Sequence, residues 1–579
     1  MSQSVKKKIL SRVEKAICTI ACMGIVTVQA CNPVGGNTVT SQETDYPERP
    51  NIVWISTEDI SPLLGAYGDT VVNTPVLDQL ASDGVRFTKA FSTAGVCAPS
   101  RAAIITGMHQ SSIGAHQHRT TSEGPGMKPY LTVPPTHVKA FTEYLRAAGY
   151  YTTNKGKTDY QFAPHSDNNQ PISAWDETGA NAHWRNAPEG QPFFSVFNFM
   201  TTHESQVWPN PKRPVTVDPD LVEVPPYYAD TPIVRRDIAQ QYSNIERMDA
   251  QVGRILNQLE KDGLAENTVV FFWSDHGGAL PRQKRAMYDS GIHVPVIIRW
   301  PGVIEPGSVD DEMMSFVDLA PTVLSIAGVD VPAHMQGRAL YGSQKQDPPE
   351  YIFAARDRHD EDHDMVRAVR DKRYKYIRNY FPNEPYSGWV SYENLMPIKK
   401  EMLRLHAEGK LDSVQSSWID DARPVHELYD LIEDPHEINN LAKKKEYKDT
   451  RTRMSKALDQ WMTEIDDMGF IPEDQMAETF WPGNIQPQTN SPFFVVNSEE
   501  EREREWLDEG GKFTIPYTVS LISTTDGASI VYTTDEGDNP HWKLYTSRIN
   551  ITNPVKIRAR AIRYGYAESE ETEGDFDVN

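Results

Sequence analysis

Two ionisable pairs, one solitary cysteine and a scatter of cations are the residues of this chain best suited to chemistry. Glu58-Asp59 follows the apolar run "NIVWIS" (51–56) after a single threonine, and Asp275-His276 directly follows "TVVFFWS" (268–274). Carboxylates that converge must be neutralised, because like charges cannot share a dry site. A divalent cation does this. Oxygen-rich donors favour Ca2+, with Mg2+ second, over Zn2+, and His276 makes the set slightly softer than an all-oxygen one. Taken alone, each pair also reads as an ordinary turn acid.

Cys97 stands in "VCAPSRAAIITG" (96–107); the other cysteines, Cys18, Cys22 and Cys31, all lie near the N-terminus. Pro99 suits the first turn of a helix. Cys97 is therefore expected at or near a helix N-terminus, where anions are favoured and a thiol pKa is lowered. No histidine adjoins it as a base, and a small buried hydrophobe is the plain alternative.

The elements that must position these groups are legible as alternating patterns. "NIVWIS", "FFSVFNFM" (193–200), "TVVFFWS" and "VPVIIRW" (294–300) read as buried strands. Helical patterns lie between them at 75–84, 139–150 and 235–264. Strands alternating with helices argue an α/β fold with a mostly parallel sheet. Each strand ends in polar groups: Thr57, Glu58 and Asp59; Asp275, His276 and Gly277; Thr201, Thr202 and His203. In open α/β sheets the ligand site lies off the carboxyl ends of the strands, so three strand ends nominate one site.

The chain has 579 residues, a hydrophobic content of 39% and a formal net charge of -23. A chain this acidic is a poor generic partner for nucleic acid or an anionic membrane. The length predicts more than one domain. Lys6, Lys7 and Lys8 followed by the apolar run 16–28 read as a signal peptide, 1–30, and residues 31–48 as a tether. The ending Val28-Gln29-Ala30-Cys31 resembles a bacterial lipobox, so lipidation of Cys31 and an exported, periplasmic or outer-membrane location are expected; simple cleavage after Ala30 is the alternative. A catalytic domain is expected over 49–350, a smaller α+β subdomain over 351–468, a linker over 469–512 and an all-β, sandwich-like unit over 513–579.

Cys-Ala-Pro-Ser-Arg (97–101) resembles the Cys-x-Pro-x-Arg signature of type I sulfatases, whose cysteine is oxidised to formylglycine (3-oxoalanine). "RPNIVWISTEDISPLLGAYGD", "LRAAGYYTTNKGK", "SDHGG", "KRAMYDSGIHVPVIIRWPG" and "FVDLAPTVLSIAGV" resemble further blocks of that family in the same order, over roughly 49–468. The flavour is that of N-sulfoglucosamine sulfohydrolase-like and bacterial polysaccharide sulfatases. The tail resembles the chitobiase/hexosaminidase C-terminal β-domain.

The resemblance implies an alkaline-phosphatase-like fold and hydrolysis of sulfate esters on an ulvan-like or glycosaminoglycan-like saccharide. It implies maturation by a formylglycine-generating enzyme. A hydroxyl of the hydrated aldehyde at Cys97 would attack sulfur, and the second hydroxyl would then collapse to release sulfate. Glu58, Asp59, Asp275 and His276 match the metal ligands, together with the modified Cys97. Arg101 matches the arginine that steadies the formylglycine, Lys157 and Lys284 the sulfate-binding lysines, and His203 the histidine near the leaving-group oxygen. Glu58 stands where Asp is usual, Asp159 where His is common, and Arg285 rivals Lys284. Substrate contacts are expected from His116, Arg356 and His359, with a solvated charged loop as the plain alternative. Competing functions are a phosphonate or phosphodiester hydrolase of the same superfamily, a sulfamate hydrolase, and a non-catalytic glycan-binding protein.

Overall fold

The computed structural model describes residues 49–121, 128–163, 171–420, 422–498, 505–507, 510–513 and 517–578. The expected signal peptide, the tether and Cys31 lie outside the described residues.

A central eight-stranded sheet carries the site. Its strands are β1 (Asn51–Thr57), β2 (Val85–Phe91), β3 (Tyr151–Lys155), β4 (Glu177–Thr178), β5 (Phe193–Phe199), β6 (Thr268–Ser274), β7 (His293–Arg299) and β8 (Ser308–Ser315). They lie in the order β4-β3-β5-β1-β6-β7-β2-β8. The sheet is mixed: "VPVIIRW" forms β7, which runs antiparallel to both neighbours, whereas β4, β3, β5, β1 and β6 are mutually parallel. Burial on both faces produces the same continuous apolar run in either direction, so composition could not tell them apart.

β1 sits between β5 and β6, with Thr57 level with Phe199 on one side and Ser274 on the other. The three nominated strand ends are thus neighbours. Along β1 the side chains alternate, Ile52 and Trp54 into one core, Val53 and Ile55 into the other.

Helices α1 (Pro75–Ser82), α2 (Cys97–Thr106), α3 (Phe141–Ala147), α4 (Pro232–Lys261) and α5 (Leu319–Ile326) accompany the sheet. α4 begins at Pro232, with the Thr231 hydroxyl accepting from the Val234 N–H. Its buried Ile238, Tyr242, Ile245, Val252, Ile255 and Leu259 recur at helical spacing. From the same helix, buried Gln241 donates to the carbonyls of Asp59 and Thr202, tying two strand-end turns together.

A second, antiparallel sheet holds β9 (Ile352–Arg356), β10 (Val366–Arg370), β11 (Tyr374–Asn379) and β12 (His426–Asp430); α6 (Pro397–Ala407) lies between β11 and β12, and α7 (Lys448–Glu464) follows β12. Arg367 on β10 is fully buried and pairs with Asp357 at 3.1 Å and Asp467 at 2.6 Å. Removing the guanidinium leaves two carboxylates without their cation. Arg367→Met is therefore expected to cost about 3–5 kcal/mol, measurable as a lowered denaturation midpoint at unchanged slope.

The C-terminal β unit starts earlier than composition suggested. Within the span read as linker lie α8 (Glu473–Phe480), β13 (Phe493–Ser498), β14 (Glu505–Leu507) and β15 (Gly510–Phe513). "FFVV" (493–496) was the signal, hidden by polar flanks. The following strands, β16 (Tyr517–Ile522) to β21 (Thr572–Val578), complete sheets of four and five strands. This unit is fastened to α3: buried Glu143 accepts from Ser529 and Tyr564, and Tyr564 stacks on Phe162 with centroids 4.5 Å apart.

Candidate active site

Cys97 is the first residue of α2 and is 1% exposed. The loop before it is pinned by Gly95, whose carbonyl accepts from the Arg285 N–H; a Cβ there would lie 2.6 Å from the Ala286 carbonyl oxygen. That close approach lays the 284–286 segment beside the cysteine. Lys284 Nζ is 3.6 Å from Cys97 Sγ, and Glu58 Oε2 and His276 Nε2 lie at 3.4 and 3.5 Å. The histidine that the neighbouring sequence lacks is supplied by the turn after β6.

The expected lowering of the thiol pKa does not hold. Burial pushes the Cys97 thiol up, against the pull of Lys157 and Lys284. Desolvation outweighs the helix N-terminus because the whole first turn of α2 is buried. An unmodified thiol here is a poor nucleophile at neutral pH.

The acidic pairs converge. One ligand atom each from Asp59, Cys97, Asp275 and His276 lie within 4.8 Å of one another, as do those of Glu58, Asp59, Cys97 and His203. Asp59, at φ 53°, donates its N–H to Asp275 Oδ1 and receives the Glu204 N–H on Oδ2. His276 Nε2 is 2.9 Å from Asp59 Oδ1. Burial opposes charge on Glu58, yet Lys157 and Arg101 hold its carboxyl well below the ordinary range. Burial likewise opposes charge on Asp59, and Lys284 and His276 overcome it. Asp275 is raised by burial and by Glu58. Burial would lower His276, but Asp275 and Asp59 push it up to about 10. Asp59 and Cys97 are common to both groups, so three buried carboxylates and an imidazole lie around the thiol, a donor set that fits a hard divalent cation with one nitrogen ligand.

The cations surround this point in fixed positions. Arg101, one turn along α2, bonds Glu58 Oε1 at 2.5 Å, Asp275 Oδ2 at 3.1 Å and Asn198 Oδ1 at 2.9 Å. Lys157 follows Gly156, whose φ of 93° turns the chain sharply after β3, and reaches Glu58 Oε2 at 2.7 Å. Lys284 reaches Asp59 Oδ2 at 2.6 Å. Arg285, the rival of Lys284, points elsewhere: it bonds Glu204 in a fork at 2.9 Å twice and Asp360 at 3.1 Å. Asp159 pairs with Arg119 at 2.6 Å and lies 3.5 Å from Lys157.

His203 follows β5 and is buried. Burial and Lys284 lower it to about 4, so the ring is neutral near pH 7. Its Nδ1 accepts from the Ser205 N–H at 3.3 Å. The neutral ring therefore carries its proton on Nε2.

The three expected substrate contacts are all buried. Arg356 is committed to Asp362, to Asp364 at 3.2 Å and to the Arg285 carbonyl at 3.1 Å. His116 is buried with Asp357 and Arg367 as its foremost charged neighbours. His359 is fully buried beside His118, with ring centroids 6.1 Å apart, and burial and Arg356 hold it well below its ordinary pKa. Glu204 and Asn198 were missed. The signal for Asn198 was an amide inside an apolar strand, and for Glu204 an acid adjoining His203.

Known proteins share this organisation. Residues 50–329 match the sulfatase family, 281–418 the C-terminal part of N-sulphoglucosamine sulphohydrolase, and 508–573 the chitobiase/beta-hexosaminidase C-terminal domain. An ulvan-active sulfatase of Formosa agariphila is 40% identical over 594 residues, covering 96% of this chain and 95% of that one. Human N-sulphoglucosamine sulphohydrolase is 26% identical over 490 residues, covering 74% of this chain and 92% of that one. The solved structure of a 2-O GAG sulfatase matches in fold with a TM-score of 0.53 at 21% identity, over 72% of this chain and 93% of that one.

Proposed function

Because the chain belongs to the sulfatase family, we propose that it removes sulfate esters from ulvan-derived saccharides at Cys97, between the strand ends of β1, β5 and β6. It is a sulfuric ester hydrolase with an alkaline-phosphatase-like fold acting on sulfated polysaccharide. The observation that carries the reading is the convergence of Glu58, Asp59, Asp275 and His276 on Cys97, flanked by Lys157 and Lys284.

Glu58, Asp59, Asp275 and His276 would hold the cation, Ca2+ by their chemistry, and bound Ca2+ supplies Lewis-acid stabilisation of charge on the sulfuryl oxygens. Oxidation of Cys97 to formylglycine by a maturation enzyme supplies a hydrated carbonyl whose hydroxyl can add to sulfur.

The rest is done by side chains already in place. Arg101 holds Glu58 and Asp275 in fixed orientations towards Cys97. Lys157 and Lys284 present ammonium groups to the non-reacting sulfate oxygens. His203, neutral with its proton on Nε2, donates a hydrogen bond to the departing alcohol oxygen and so stabilises the charge that develops there. Glu204 spans Lys284 at 3.3 Å and Arg285, and so keeps the lysine from swinging out. The N-terminal segment supports export, with Cys31 as the site of a lipid anchor.

The test is released sulfate from ulvan-, heparan-, carrageenan- and fucan-derived oligosaccharides, with phosphate and phosphonate esters alongside. The expected outcome is sulfate release from ulvan oligosaccharides at a kcat/KM at least about tenfold above any other member of the panel. Faster turnover of a phosphonate or phosphodiester would sink the reading.

A further inference from the structure

The wall of the site on the His203 side is aromatic. Trp208 and Tyr392 pack with ring centroids 4.7 Å apart, and the Tyr392 ring lies 6.1 Å from that of His203. Tyr392 is 38% exposed, and Trp389 and Leu395 nearby in the same stretch are 70% and 49% exposed. Large apolar side chains exposed along one stretch mark a place that something else covers. The Trp208 indole N–H has no acceptor among the described residues.

The stretch is held, not loose. Ser391 Oγ donates to Glu361 at 2.5 Å, and Glu393 is buried in an ion pair with Lys399 at 2.8 Å. Gly388 lies so near Asp362 that a Cβ would meet its carboxylate oxygen at 1.9 Å. Asp362 in turn holds Arg356, which bonds the carbonyl of Arg285. Tyr392 is thereby fixed relative to the segment that carries Lys284.

We propose that Tyr392, backed by Trp208, is a stacking face for a sugar ring of the leaving group. This rests on the saccharide sulfatase reading. The occupant follows from position. His203 must reach the oxygen that departs with the alcohol, so a ring 6.1 Å from His203 adjoins the alcohol half of the substrate. A sugar ring offers an apolar face of axial C–H groups, and these complement the electron-rich face of a tyrosine or tryptophan ring. A protein partner seated on the same face would cover His203. Stacking also accounts for an apolar wall opposite a site otherwise built of charges, since a sulfated sugar is polar at its rim and apolar on its faces.

The experiment uses the mature full-length protein and two readouts: KM for a sulfated oligosaccharide, and Ki for inorganic sulfate as product inhibitor. Sulfate occupies only the pocket of Lys157 and Lys284. Tyr392→Ala is expected to raise KM about tenfold while Ki moves less than about twofold. Tyr392→Phe and Tyr392→Trp, which keep a ring, are expected to restore KM. A parallel rise of KM and Ki would mean a merely structural role through His203 and overturns the proposal. So does an unchanged KM in Tyr392→Ala, with the saccharide reading left intact. A wild-type protein that releases sulfate from no saccharide overturns that reading, and the stacking face with it.

Discussion

Cys97→Ala is expected to lower sulfate release by at least about ten-thousandfold, with the fold retained. The side chain is 1% exposed and small, so its loss removes one sulfur from a packed helix start, at a cost of about 1 kcal/mol. Everything else stays: Lys157, Lys284, His203 and Arg101 are positioned by partners other than the thiol. Binding of saccharide should survive while turnover does not. Cys97→Ser is the sharper companion. A serine hydroxyl can add to sulfur, but it has no second hydroxyl with which to release sulfate, so at most one turnover per molecule is expected. The peptide containing residue 97 should show the mass of formylglycine in wild-type protein from a host that makes the maturation enzyme. Full activity in the alanine variant, or an unmodified thiol in fully active protein, would refute the assignment of Cys97. The raised thiol pKa gives the same expectation from another side, since burial disfavours a thiolate acting directly.

Removal of the divalent cation by a chelator is expected to cost about a thousandfold in kcat, restored by Ca2+ and less well by Mg2+. The argument is electrostatic. Glu58, Asp59 and Asp275 are each 0% exposed and share one site. Like charges in a dry site repel unless countered, and Arg101 already spans two of the three. A cation that binds only the folded chain also raises its stability by mass action. The melting temperature is therefore expected to fall on chelation and to climb with added Ca2+, a readout independent of turnover. Asp275→Asn, which keeps the shape and removes the charge, should weaken the Ca2+ dependence of both. Activity and melting temperature unmoved by exhaustive chelation would count decisively against a metal at these residues.

Much of this site was legible because its parts are local. The apolar runs at 51–56, 193–200 and 268–274 each end in ionisable groups, and a strand that ends in charge declares which end faces the ligand. Pro99, ahead of the helix-compatible run 102–106, marks a helix start just after Cys97. The loops were less legible. Asp59, Arg119, Asp159, Arg285 and Asp360 all adopt positive φ, from 52° to 71°, and nothing in an arginine marks it for that conformation. These backbones are imposed by distant partners such as Glu204 with Arg285, and strain of that kind gathers at functional sites. The polar span before the β unit misled for the opposite reason: four apolar residues suffice for a strand when a partner sheet covers them.

The sequence alone determined the chemistry available: which strand ends carry acids and which helix begins with the cysteine. Those are properties of residue type and short spacing, governed by local sterics and periodicity. Only the tertiary structure decided that β1 lies between β5 and β6, that His276 rather than a neighbour in sequence faces Cys97, and that Arg285 serves Glu204 while Lys284 turns inward. It also reversed the expected thiol pKa. Strand order, burial and charge pairing depend on contacts between residues far apart in the chain, and no local pattern encodes how much water those contacts exclude.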